Sequence, residues 1–83
     1  MEQKEIRERI KTIFQETFPE EAFRWEKKQE EFPRWDSLSH MELVGKCEER
    51  LGSRFEMEEV MALNTPEDFF RVISKKNGGP VTS

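Results

Sequence analysis

Tyrosine is absent from this 83-residue chain, and there is one cysteine, one histidine, four glycines and four prolines. A single thiol, Cys47, excludes an internal disulfide and a multi-cysteine metal site, and His40 is the only imidazole, so no metal site is expected. No apolar run approaches the ~18 residues of a spanning helix. The first residues, MEQKEIRERIK, have neither the apolar stretch nor the small-residue cleavage site of a signal peptide, so a cytoplasmic protein with no membrane partner is expected. No segment alternates apolar and polar residues long enough to predict a strand. A chain this short forms one compact domain with little room for a wide internal cleft.

What is present is charge and phenylalanine. Charged residues make up 39% and hydrophobic residues 34%, with seven Phe and two Trp, enough for one apolar core inside a very polar shell. The net charge of −4 is unevenly spread: residues 53–68 hold five acids against one base, whereas residues 69–83 hold three bases and no acid. Phosphate binding needs a basic face, so nucleic acid is a poor partner for the acidic stretch, and a basic protein is a better one.

Ile6, Ile10, Ile13, Phe14 and Phe18 recur at helical spacing and predict an amphipathic first helix over 3–18, ended by Pro19. The next eighteen residues, PEEAFRWEKKQEEFPRWD, are long for a connection. Their aromatics, Phe23, Trp25, Phe32 and Trp35, are expected to pack on the core, with a short helical turn within 20–30 and a solvated EKKQEE run. Asp36 is a preferred N-cap; from it Leu38, Met41, Val44, Cys47, Glu48 and Leu51 mark a second helix ended by Gly52. Phe55, Met57, Val60, Met61 and Leu63 suit a loop with one or two helical turns. Thr65, Pro66 and the acids that follow start a last helix bearing Phe69, Phe70, Val72 and Ile73. The fold class is therefore all-α, a small four-helix bundle over 1–76 with a disordered tail over 77–83.

Asp36 and Ser37 pose the functional question. Asp36 can simply cap the helix, with Ser37 tolerated in its first turn. The alternative is that Ser37, at the positive end of the helix dipole, carries a phosphodiester. The surroundings of the pair favour the second reading. Asp36, Ser37 and Leu38, then Met41, Glu42, Leu43 and Val44, then EERLG at 48–52 and the TPEDFFRVI ending follow an order that resembles the acyl carrier protein family over residues 3–75.

The resemblance implies that a phosphopantetheinyl transferase, using Mg²⁺, moves 4′-phosphopantetheine from coenzyme A onto Ser37. The arm then carries an acyl or aminoacyl group as a thioester between partner enzymes, among them a ligase and acyl-transferring enzymes. In this picture the chain is a monomeric, non-catalytic carrier. Asp36 is the cap and transferase contact, and Leu38, Met41 and Glu42 are the patch that partners read. The acidic group Glu56, Glu58 and Glu59 is expected to steer partners electrostatically. Arg34 and Trp35 stand where many family members have a glycine two positions before the aspartate, and WDSLSHMELV looks more like stand-alone carriers of specialised pathways than housekeeping fatty-acid synthesis. The rival reading is a helical interaction module of the same fold without phosphopantetheine.

Four other residues bear on the site. Cys47 falls on the apolar stripe and reads as a small core residue. His40, three residues after Ser37, reads as a solvated surface histidine, with contact to an attached phosphate as the lesser alternative. A Ser37, His40, Glu42 hydrolase triad is rejected, because successive helix positions do not chain hydrogen bonds in that way. Trp25 and Trp35 read as partly buried loop anchors, Trp35 alternatively lining the mouth where the arm rests.

Overall fold

Four α-helices build the computed structural model, which describes residues 2–78: α1 (Gln3–Thr17), α2 (Ser37–Leu51), α3 (Met57–Met61) and α4 (Pro66–Gly78). Among the described residues there is no strand, and no helix is long and apolar enough to cross a membrane. The last helix runs to Gly78, and residues 79–83 of the expected tail lie outside the described residues.

The apolar periodicity of α1 becomes its buried face, Ile6, Ile10, Ile13 and Phe14, and α1 packs against both α2 and α4. At the α1–α2 seam Arg50 pairs with Glu16 at 2.8 Å, and at the α1–α4 seam Arg7 pairs with Glu67 at 3.1 Å. Helix α2 buries Leu43, Val44, Cys47 and Leu51. Leu38 and Met41, on the predicted stripe of this helix, are 80% and 54% exposed and stay outside the core. Gly52 ends α2 in the left-handed region at φ 67°, where a side chain would be strained. The start of α4 is closed by a reciprocal cap. The Thr65 hydroxyl accepts the Asp68 N–H at 3.1 Å, and the Asp68 carboxylate accepts the N–H groups of Asn64 and Thr65.

The long connection is ordered by its aromatics. Phe14 is their common neighbour, with ring centroids of Phe18, Phe23, Phe32, Trp35 and Phe69 between 5.3 and 6.2 Å away. The helical turn expected within 20–30 is reduced to one 3-10 turn, Gln29–Glu31. Docking side chains at 23, 25, 32 and 35 separately is incompatible with one helical face, and backbone groups here find partners across the fold. The Gln29 N–H donates to the Asn64 carbonyl at 2.7 Å, and the Glu67 N–H donates to the Trp25 carbonyl at 3.0 Å. The EKKQEE run is not wholly solvated either, since the Lys27 ammonium sits 4.4 Å from the centre of the Phe32 ring.

Candidate functional site

The site is the N-terminal end of α2 and the face of α3 beside it. Asp36 adopts extended backbone and its carboxylate accepts the Ser39 N–H at 2.9 Å, making it the N-cap that its residue type predicts. That N–H holds the Asp36 carboxyl below its ordinary range, against a smaller opposing effect of desolvation, and the Ser39 hydroxyl adds to the lowering. Ser39 is therefore half-buried and turned to the cap. Ser37 is exposed, and its hydroxyl has no hydrogen-bond partner among the described residues.

His40 is the main departure from expectation. It is neither a solvated surface residue nor turned toward Ser37. Its Nδ1 accepts the indole N–H of Trp35 at 3.0 Å, and its Nε2 lies 2.7 Å from the Val60 carbonyl. Accepting at Nδ1 places the ring proton on Nε2, which donates to Val60. The physical reason lies with Trp35. That residue is 4% exposed, a core residue rather than a partly buried anchor, and a buried indole N–H requires an acceptor. The imidazole stacks on the indole at 5.9 Å and meets the Phe69 ring at 6.1 Å. Trp35 itself donates into the site only through His40.

Leu38 and Met41 flank Ser37 on the outer surface, and Met57 and Met61 of α3 add two more exposed side chains, 70% and 76% exposed. Ser37, Met41, Met57 and Met61 line one groove of about 330 Å³, with His40, Val60, Leu63 and Gln29 also contributing. The sequence places Met57 and Met61 in a loop with one or two helical turns and assigns them no part in the site. Their spacing of four on a five-residue helix was the available signal, since so short a helix has one face to bury and Val60 takes it.

The acidic residues differ in how free they are. Glu42 pairs with Lys46 at 3.2 Å, and Lys46 also donates to the Thr17 hydroxyl. Glu56 and Glu59 cap α3 reciprocally, and Glu59 also pairs with Lys76 at 3.0 Å. The Glu56 N–H, and then Lys76, keep the Glu59 carboxyl below its usual range against a smaller desolvation effect. Glu58 is exposed, and its carboxylate makes no hydrogen bond or ion pair among the described residues. Cys47 is fully buried, and burial pushes its thiol up to about 12, so it is a packing residue.

The geometry suits attachment of a phosphate-linked group. An exposed, unpartnered hydroxyl stands at the first position of a fifteen-residue helix, with open apolar surface beside it. A comparison with family models finds that residues 35–73 match the phosphopantetheine attachment site family. No match was found among curated proteins or among solved structures. The matched segment runs from Trp35 to Ile73 and takes in the whole of α2 and α3 and the buried part of α4. Residues 35–73 are thus similar to the phosphopantetheine attachment site family, a group bearing covalently attached 4′-phosphopantetheine, in agreement with the resemblance of the sequence to acyl carrier proteins.

Proposed function

We propose that Ser37 is the residue to which 4′-phosphopantetheine is joined, and that the protein carries an acyl or aminoacyl group on that arm between partner enzymes of a specialised biosynthetic route. When bound, the group supplies a thiol that holds the cargo as a reactive thioester at the end of a flexible tether.

The observation that carries this reading is the contrast between Ser37 and every group near it. Asp36 is committed to the Ser39 N–H, both ring nitrogens of His40 are engaged, and Cys47 is buried. Among the described residues no base is placed to take the Ser37 proton, so the hydroxyl is exposed but idle. Such a residue suits modification by another enzyme, which brings the base and the metal ion. Ser37 Oγ then forms a bond to the phosphorus of the phosphopantetheine half of coenzyme A, the pyrophosphate bond breaks to release adenosine 3′,5′-bisphosphate, and the hydroxyl proton passes to the transferase. The chain contributes accessibility, the helix start and the apolar surface formed by Leu38 and Met41.

The test is intact mass after incubation with coenzyme A, Mg²⁺ and a broad-specificity phosphopantetheinyl transferase, followed by localisation of the added group. Wild type should gain one group on Ser37, and Ser37→Ala none, with an unchanged melting temperature because the hydroxyl has no internal partner. Attachment at Ser39, Ser53 or Ser74 would overturn the assignment. An unmodified wild type would favour a helical interaction module in which Asp36 and Ser37 only start a helix.

A further inference from the structure

We propose that His40 shuts the interior of the bundle to the cargo, which rests instead in the methionine groove on the outer faces of α2 and α3. This rests on the attachment reading above and specifies where the carried group lies.

The groove beside Ser37 has a floor and walls of different character. His40 and Val60 form the floor, and the bond between His40 Nε2 and the Val60 carbonyl, 2.7 Å long, ties α2 to α3 across it. Behind the floor lie Trp35 and Phe69, at 6.1 Å from one another and each within 5.4 Å of Phe14. A chain passing between α2 and α3 must separate His40 from Val60 and spread these rings. Each step strips a partner from a polar group: the Val60 carbonyl, which keeps the longer contact from the Leu63 N–H at 3.4 Å, and then the buried Trp35 N–H, which is costly to leave without an acceptor. Helix α3 has five residues, too few to hold its place by its own hydrogen bonds, so its position depends on this fastening together with the burial of Val60 and the Glu59–Lys76 pair.

The walls offer the opposite. Met41, Met57 and Met61 are more than half exposed, and unbranched thioether side chains re-pack around differing shapes. The occupant is fixed by the tether: Ser37 lines the groove, so an apolar group on its arm is held there at high effective concentration. The ligand class is accordingly an apolar acyl or aryl group. Bulky or branched members fit as readily as linear ones, because an open surface imposes no slot width.

The experiment uses full-length protein with methyl-labelled methionine, bearing either the bare arm or an arm ending in a phenylacetyl or octanoyl amide, transferred from the matching coenzyme A analogue. Intact mass and site localisation come first. Failure to gain mass overturns the attachment reading and this proposal together. With attachment confirmed, the proposal requires the methyl signals of Met41, Met57 and Met61 to shift on adding either cargo, beyond the effect of the bare arm, while the Trp35 indole N–H signal and its slow exchange persist. Loss or displacement of the indole signal with still methionines would place the cargo inside and overturn it. Stillness of both sets would leave the cargo in solvent and also overturn it. His40→Leu supplies a second arm: the octanoyl group should now perturb the indole and core methyl signals. If that variant does not fold, the wild-type measurement decides alone.

Discussion

The guanidinium of Arg7 lies 3.7 Å from the centre of the Phe70 ring while its two terminal nitrogens hold the Glu67 carboxylate at 3.1 and 3.3 Å. The same group stands 4.8 Å from the Trp25 ring, so one side chain joins α1, the long connection and α4. Only a planar cation can stack on rings and fork onto a carboxylate together. Arg7→Lys is expected to lose roughly 1 kcal/mol of stability, measured by urea unfolding. A difference that vanished in high salt would assign the effect to the ion pair rather than the stacking.

Asp36 separates cap from charge. Asp36→Asn should keep most of the melting temperature, because the amide oxygen can accept the Ser39 N–H, but should slow modification by the transferase; Asp36→Ala should lower both. The carboxyl sits below its ordinary range in the fold. Its charge therefore adds stability that is present above the unfolded value of about 4 and lost as pH falls through the lower folded value. The gap between wild type and Asp36→Asn should close in that acid window, followed by melting at stepped pH.

The acidic residues of α3 are expected to part company when changed singly. Glu58→Lys should slow association with the transferase at low salt and weaken its salt dependence, with only a small fall in melting temperature from reversing a charge in the first turn of α3, since the Glu58 carboxylate has no hydrogen bond or ion pair to lose. Glu59→Ala should cost stability, because the residue caps α3 and pairs with Lys76. Stopped-flow association and thermal melting distinguish the two. Equal association rates for wild type and Glu58→Lys in low salt would remove the steering role.

Cys47 should be inert to thiol reagents at pH 8 in the folded protein, reacting only as fast as the chain opens. Its thiol is held up at about 12 by burial, against an ordinary value of 9.0. The sign follows from proton uptake: above pH 9 the unfolded chain loses a proton that the fold retains, so stability falls between pH 9 and about 12. The slope is at most about 1.4 kcal/mol per pH unit. Cys47→Ala should lack that alkaline component in urea unfolding.

Much of the scaffold is legible from local chemistry. Asp36, Gly52 and the Thr65–Pro66 pair mark helix ends because capping depends on a few neighbouring residues, and the α1 stripe from Ile6 to Phe14 depends on one period. The place of Ser37 at the start of α2 is legible for the same reason, since Asp36 caps the helix directly before it. His40 is different. Nothing within a turn of it shows that residue 35 has an indole N–H to satisfy, or that the carbonyl of residue 60 lies opposite. The connection from Pro19 to Trp35 has no period for a similar reason: its backbone partners, Asn64 and Glu67, arrive from the far side of the sequence.

The position of Phe14 bears on the order in which the molecule assembles. Its ring neighbours come from the end of its own helix, from three places in the connection and from α4. The early members can cluster through short loops, whereas Phe69 must close about two thirds of the chain, an entropic debt that delays its arrival. Refolding should therefore pass its barrier when α4 docks. Phe69→Leu would then slow folding, whereas a change at Phe23, on the margin of the cluster, would chiefly hasten unfolding.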